Sequence, residues 1–407
     1  MFRTRRLAVV GALVLLCGAS ACAAEPKHDA DPAAPGQGER GTVVSATPVA
    51  QLSAEETAAY LAKGNFTMPV RNGVDAYRVD YRTVTAADKP TTASGLVVLP
   101  RTDSPRLRTV SFEHGTLVLK SDAPSVNNQS RPDQARTIMF AAAGYAAIAP
   151  DYLGLGDGPG DHPYTHAPTE VSASADLLIA AENVASQQHR ELDRDVLVTG
   201  FSQGGHAAMA FGKALQAGEV PGFGLAALAP VSGPYALRDV ETPAGLDGRV
   251  APGPAVFYFA YWLTAMNRIY HLYDNPAEAF QEPYAGKIEG LFDGTRNELT
   301  IATLLPITPD LLLTPKFVEL AKHPTGAVLK AITDSDGTCD WTPRVPVRLY
   351  AATADRNVPY ANAEHCLRAL HTDNVTLHNL GDLDHTNSAR VAMPQVLAWF
   401  QQQIPVS

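Results

Sequence analysis

Asp195-Val-Leu-Val-Thr-Gly200-Phe-Ser202-Gln-Gly204-Gly205-His206 carries an apolar, β-rich run through Gly-x-Ser-x-Gly and into the Ala-rich segment that continues to Gln216. A chain that passes from strand to helix over so few residues must turn sharply at Ser202. That lifts the hydroxyl clear of the sheet and puts the serine in a strained conformation. Glycines two before and two after remove the Cβ atoms that would collide in such a turn. The helix start behind the serine offers unpaired N–H groups and a positive dipole end to a developing negative charge. Gly-x-Ser-x-Gly alone is a weak signal; bracketed by a strand and a helix it marks Ser202 as a candidate nucleophile.

Outward from this stretch the chain alternates short apolar runs with longer helical patterns. Strands are expected at Val74–Thr85, Gly95–Leu99, Arg108–Phe112, Tyr145–Ala149, Asp195–Thr199, Gly224–Leu228, Val347–Ala352 and Val375–Asn379. Helices are expected at Asp133–Ala143, Glu170–Gln188, Gln203–Gln216, Tyr360–His371 and Ser388–Gln403. Near-continuous apolar strands separated by helices predict an α/β fold, a mostly parallel sheet covered on its faces. The rhythm breaks between residues 232 and 338, where aromatics and prolines accumulate without strand–helix alternation. That segment is read as an inserted, mainly helical cap. It divides the core into residues 48–231 and 339–407. Its stripe Phe257–Trp262 serves either as the cap's own core or as a wall over the serine, with Leu304–Leu313 as further apolar wall.

A serine hydroxyl needs a base to take its proton. On a sheet of this kind the partners follow in the order acid, then histidine. His385, in Gly381-Asp-Leu-Asp-His385-Thr, is the histidine placed just beyond the last strand. His378 sits inside that strand pattern, His365 and His371 fall on a helix, and His206 is expected to pack or bond behind the turn. Arg348-Leu-Tyr-Ala-Ala-Thr-Ala-Asp355 is a buried strand ending in a carboxylate, so Asp355 is the expected orienting acid. Asp384 is its rival, but a chain neighbour of His385 reaches round to Nδ1 poorly; Asp334 and Asp336 are weaker rivals. For an oxyanion, donors are expected from the N–H of Gln203 and from the loop Glu113-His-Gly115-Thr116, with Thr116 as donor and Gly115 as the turn. His114 and Tyr152, beside the turn, and Tyr258, Phe259 and Trp262, in the insertion, are expected to line the substrate pocket.

Other chemistries fit less well. The loop Asp151-Tyr-Leu-Gly-Leu-Gly156 to His166 holds Asp and His residues, but its Gly and Pro density fits a tight loop and no close metal-ligand spacing occurs. No metal is expected. Gly154-x-Gly156 lacks the third glycine and the strand-to-helix setting of a dinucleotide site, and no cofactor is expected. The 407 residues, 45% apolar, suffice for one large domain with an insertion. The net charge of −10 and the lack of a basic patch exclude nucleic acid as a partner and make an anionic bilayer surface unattractive.

Arg3, Arg5 and Arg6 precede the apolar run Leu7–Leu16 and the small residues Gly18 to Ala21. Residues 1–21 therefore read as a secretory signal, too short in its apolar part for a spanning helix. Its removal takes three positive charges and no negative ones, so −10 becomes −13. Ala19-Ser-Ala-Cys22 has the look of a lipidation signal, with Ala19 where a larger aliphatic residue is usual. Either Cys22 is lipidated and tethers the protein to a membrane, or the protein is simply secreted. Residues 22–47, poor in large apolar side chains, read as a flexible tether. In an exported chain Cys339 and Cys366 are expected to be bridged.

Gly144-Tyr-Ala-Ala-Ile-Ala-Pro-Asp151-Tyr-Leu-Gly-Leu-Gly156, His162-Pro-Tyr164, Gly200-Phe-Ser-Gln-Gly-Gly205 and Asp355-x-x-Val-Pro359 together resemble the secreted bacterial esterase/lipase group, similar to the secretory lipases typified by fungal lipase A. The resemblance covers most of residues 70–400 and is loose through the cap. It implies an α/β-hydrolase fold, hydrolysis of carboxylic esters of small molecules or lipids, and Ser202, Asp355 and His385 as the triad. A monomer is expected. Two other readings stay open: a serine peptidase on the same fold, with Glu278, Glu282 and Glu289 as candidates to grip an amino terminus, and a non-catalytic envelope lipoprotein that retains the fold.

Overall fold

The computed structural model describes residues 39–126 and 132–406. Among them nine strands make one sheet: β1 (Val43–Leu52), β2 (Val74–Val84), β3 (Pro90–Pro100), β4 (Arg106–Glu113), β5 (Ala146–Pro150), β6 (Glu191–Phe201), β7 (Gly224–Val231), β8 (Val347–Ala351) and β9 (Val375–Asn379). Their order is β1-β2-β3-β5-β4-β6-β7-β8-β9. β1, β2, β3 and β5 pair antiparallel, whereas β5, β4, β6, β7, β8 and β9 run parallel.

Residue pattern explains the division. β2 buries Tyr77, Val79, Tyr81 and Thr83 at every second position, with Tyr77, Val79 and Tyr81 in one core, while Val74 and Ala76, near its start, face the other core. β5 is buried at every position, and so are Val196–Gly200 of β6, because helices cover both sides there. In β3, Leu96 and Val98 face one core and Val97 and Leu99 the other. One layer is built by α1 (Ala54–Lys63), α2 (Asp133–Ala142) and α13 (His385–Gln403). Its Ile138, Phe140, Val396 and Phe400 are fully buried, each such side chain contributing roughly 1.5–3 kcal/mol. The opposite layer is α3 (Ala167–Gln187), α4 (Gln203–Ala217) and α12 (Ala361–Leu370), which pack Leu177, Leu178, Met209, Phe211 and Leu370 against Val196, Val198 and Leu349. Cys366 of α12 is bridged to Cys339.

Two sequence expectations need correction at the N-terminal side. The stretch read as a tether through residue 47 is already β1 from Val43, paired antiparallel with β2; its short β-branched run needs only one neighbour to become an edge strand. α1 had not been anticipated either, although Ser53 caps it and Glu56 closes a reciprocal capping box. The expected signal (1–21), Cys22 and most of the tether lie outside the described residues. Among the described residues no helix is long and apolar enough to cross a membrane.

Between β7 and β8 the chain forms α5 (Thr242–Asp247), α6 (Pro252–Tyr270), α7 (Pro276–Ala279), α8 (Glu298–Leu304), α9 (Pro309–Leu312), α10 (Pro315–Lys322) and α11 (Gly326–Ser335). These helices share an apolar cluster of their own, joined from the core by Val118 and Tyr164. The Asp336 carboxylate accepts from the N–H groups of Leu237 (2.6 Å) and Arg238 (3.1 Å), which staples the end of the segment to its beginning.

Candidate active site

β6 ends at Phe201 and α4 begins at Gln203, leaving Ser202 at the bend with φ 58° and ψ −123°. Such a conformation is costly for a residue with a Cβ and persists only where the surroundings enforce it. The flanking glycines are required by contact. A Cβ on Gly200 would lie 2.1 Å from the Gly204 carbonyl oxygen, and one on Gly204 would lie 1.9 Å from that of Glu113.

Two further carboxyl-edge elements meet the serine. His385 opens α13, and its Nε2 is 2.8 Å from the Ser202 hydroxyl oxygen. Its Nδ1 is 2.6 Å from Oδ2 of Asp355, in the loop after β8. The other carboxylate oxygen of Asp355 accepts from the N–H groups of Asn357 and Val358, both at 2.9 Å, so the side chain is held from both ends. Ser388 donates to the carbonyl of His385 at 2.6 Å and fixes the helix start, while the Phe201 ring packs against the imidazole. All three residues are buried. Asp384 instead caps α13, accepting from the N–H and side-chain amide of Asn387, both at 2.8 Å.

Gly115 passes close to the serine: a Cβ there would sit 3.6 Å from Cβ of Ser202. Thr116 follows it and shares a hydrogen bond with the Tyr164 hydroxyl at 3.1 Å. Gln203, as the first residue of α4, carries an N–H without an intrahelical acceptor.

The serine opens on a cavity with about 940 Å³ of unfilled space, its mouth included. The wall is apolar over most of its extent, with Leu237, Tyr258, Phe259, Trp262, Phe317 and Ile332 contributed by the inserted segment. Its chief polar exception is Glu241. Burial pushes that carboxyl up to about 8, helped by the nearby charge of Asp355 and opposed by a bond from Asn362 at 2.9 Å. Burial likewise pushes Glu113, beneath the bend, up to about 7 and His162 down to about 4.

No family model matches the sequence, and no curated protein matches it either. Solved structures do. A Legionella pneumophila protein with a provisional description as a hydrolase is 28% identical, with a TM-score of 0.81 over 89% of this chain and 98% of its own. The rice cell wall degrading esterase LipA of Xanthomonas oryzae is 26% identical, with a TM-score of 0.79 over 90% and 98%. Candida antarctica lipase A, at 13% identity and a TM-score of 0.64 over 90% and 82%, shares the fold. This chain is an α/β-hydrolase by fold and resembles the esterases and lipases.

Of the residues singled out from the sequence, this α/β-hydrolase brings Ser202, His385 and Asp355 together, sets Gln203 and Gly115 beside them, and places Tyr258, Phe259 and Trp262 on the cavity wall. The pocket expectation is corrected for two residues. His114 is fully buried, its ring nitrogens 2.7 Å from the carbonyl of Gly115 and 3.1 Å from that of Asp151. Tyr152 packs at a tilt against that ring, so both buttress the loop from behind instead of lining the cavity. The stripe in α6 is divided by helix period. Phe257 and Tyr261, four apart, point into the cap core, where Tyr261 stacks on Tyr164 and Phe292, while 258, 259 and 262 take the other face. Of Leu304–Leu313 only Leu313 reaches the cavity; Ile307 and Leu311 face outward.

Glu278 caps its own helix and pairs with Lys316, and Glu289 accepts from Tyr273. Neither they nor Glu282 line the cavity. Among the described residues no three His, Cys, Asp or Glu side chains are arranged to hold a metal ion. Asp151 is taken up by Ser94 and Ser125, and His166 by Thr169 and Tyr270. Sequence reasoning missed Glu241 and Glu170, whose surroundings come from segments far along the chain.

Proposed function

We propose that the protein is a serine carboxylic ester hydrolase acting through an acyl-enzyme on Ser202. The observation that carries this reading is the unbroken path from Asp355 through His385 to a serine hydroxyl that opens on an apolar cavity. His385 Nε2 takes the hydroxyl proton as Oγ attacks the ester carbonyl, then passes it to the departing alcohol. Water delivered by the same nitrogen releases the acid. Asp355 keeps the proton of His385 on Nδ1 and stabilises the imidazolium without accepting the proton. The N–H groups of Gln203 and Thr116 serve the oxyanion, each such donor worth ~3 kcal/mol in the transition state.

The apolar wall favours an ester with a hydrocarbon acyl chain, whether a small molecule or a lipid, and the likeness to esterases supports ester over other substrates. The insertion, residues 232–338, acts as the cap that shapes this cavity. A peptidase reading loses its support with Glu278, Glu282 and Glu289 turned elsewhere. Glu241, the carboxyl that does face the cavity, has no second acid beside it on the wall among the described residues, and burial favours its neutral form. The signal-like residues 1–21 and the bridged cysteines support export, either tethered through a lipid on Cys22 or as a plainly secreted protein. Labelling with a fluorophosphonate, followed by turnover of a p-nitrophenyl ester against an aminoacyl anilide, tests the reading. Label on Ser202 and turnover of the ester support it; no label, or faster cleavage of the anilide, overturns it.

A further inference from the structure

Beside Ser202 lies a cluster of polar side chains with almost no access to solvent. The side-chain Nε2 of Gln203 is 2.9 Å from Oε1 of Glu170 and 2.9 Å from Nε2 of His162. An amide NH2 has two hydrogens, and these two acceptors use both. His162 donates from Nδ1 to the Leu153 carbonyl at 2.9 Å, which leaves its Nε2 to accept. Turning the Gln203 amide over would set its oxygen against the Glu170 carboxylate, so one orientation is enforced. The second oxygen of Glu170 meets Nδ1 of His206 at 2.8 Å, and Nε2 of His206 donates at 2.7 Å to the carbonyl of Ser335, the last residue of α11. Gln203, Glu170 and His206 are each at most 1% exposed. Burial alone would push His206 down, yet the Glu170 carboxylate outweighs it and raises the ring above its ordinary value.

The direction of the Gln203 N–H is set by ψ of Ser202, which sits at −123° in a strained bend. A strained peptide holds its direction only if both of its ends are fixed. On one side the β6 ladder does this. On the other, the Ser202 carbonyl accepts from the N–H groups of Gly205 at 2.8 Å and His206 at 3.3 Å, and the Gln203 side chain adds a tie to Glu170 of α3. We propose that Glu170 is a positioning residue: through the Gln203 side chain it aims the oxyanion N–H, and through His206 it ties the same carboxylate to the base of the cap. This rests on the role given to the Gln203 N–H above. Glu170 touches no reacting atom. Its effect is on geometry, where a small misplacement weakens a bond made fully only in the transition state.

The test compares Gln203→Met, which keeps the backbone N–H and leaves the Glu170–His206 pair in place, with Glu170→Gln and the double variant. The readouts are kcat and KM for a p-nitrophenyl ester, melting temperature, and affinity for an alkyl boronic acid, whose tetrahedral adduct on Ser202 needs the oxyanion donors. Each single variant is expected to lower kcat about tenfold or more and weaken the boronate by a similar factor, with KM changed by less than about twofold. The double variant should be no worse than the worse single one. If Glu170→Gln does not fold, Gln203→Met decides alone. Unchanged kcat and boronate affinity below the melting temperature, with only melting lowered, would make the cluster a structural ion pair and end the inference. A Ser202→Ala protein that kept its turnover would remove the functional reading and this inference together, so the two failures are told apart.

Discussion

Nδ1 of His385 lies 2.6 Å from Oδ2 of Asp355, 30 residues away in the chain, while its immediate neighbour Asp384 is turned outward to cap α13. A carboxylate adjacent in sequence cannot fold back onto the imidazole once the histidine is the first residue of a helix. It serves the helix instead. Ser202→Ala and His385→Ala are expected to lower kcat by roughly four powers of ten or more with the fold intact, and Asp355→Asn by a comparable amount. Asp384→Asn should leave turnover within about twofold and the melting curve nearly unchanged, since Asn also caps well. Ester turnover and melting curves of the four variants check this. The acid is wrongly assigned if Asp384→Asn is the more damaging of the two.

The bridge from Cys339 to Cys366 spans 27 residues and encloses β8 and the loop that presents Asp355. Closing a loop of that length is worth ~3 kcal/mol on a chain-entropy estimate. Thiol titration of the denatured, unreduced protein should find neither cysteine free, and Cys339→Ser/Cys366→Ser should melt several degrees lower. Two reactive thiols on these residues would count against the bridge.

Glu241 makes stability depend on pH in a definite direction. Its folded value of about 8 lies above the ordinary 4.5, so the folded state holds the proton more tightly than the unfolded chain does. The stabilisation is therefore complete below about pH 4.5 and is lost as pH rises through about 8. Glu241→Gln keeps an acceptor for Asn362 and cannot ionise. The melting temperature of this variant should fall less between pH 6 and 9 than that of the parent, by roughly a few degrees. Parallel pH profiles for the two proteins would show that Glu241 does not ionise at the expense of the fold.

The N-terminus gives a prediction of its own. The mature protein is expected to begin at Cys22 and to carry lipid, so that it sediments with membranes and Cys22→Ser does not. Mass spectrometry of the mature N-terminus decides, and an unmodified terminus elsewhere would mean plain secretion.

Legibility followed how local the constraint was. Gly200 and Gly204 are forced by contacts within a few residues and with the neighbouring β4, so the bend at Ser202 is written in the sequence itself. The buried parallel strands were legible for the same reason, because a run such as Val196–Val198 has no polar face to expose. β1 was not: its pairing with β2 is a tertiary event, and the composition before it reads as tether. Glu170 and Glu241 were missed because burial of a carboxyl depends on partners such as His206 and Asn362, 36 and 121 residues away. His114 and Tyr152 were assigned to the right loops but to the wrong side of them.

The division of the α6 stripe allows the cap to be tested residue by residue. Tyr258, Phe259 and Trp262 line the cavity, whereas Phe257 and Tyr261 are buried among cap side chains. A substrate methylene buried against the first set contributes up to ~0.8 kcal/mol, close to a fourfold preference per carbon where the wall is continuous. Phe259→Ala and Trp262→Ala should therefore shift the ratio of long-chain to short-chain ester turnover by about tenfold, with only small losses in melting temperature. Tyr258→Ala should add a second effect, because its hydroxyl accepts from Asn357 at 3.2 Å, beside the loop that holds Asp355. Its kcat should drop for esters of every length. Phe257→Ala is the control from the other face: Phe257 packs edge-on against Phe292 and Tyr261, so its removal leaves a hole in the cap core and costs ~3–5 kcal/mol. Melting should fall sharply there while the chain-length ratio stays near that of the parent. If instead Phe259→Ala and Trp262→Ala lower melting like Phe257→Ala and leave the ratio fixed, those side chains support the cap alone and the acyl chain lies elsewhere.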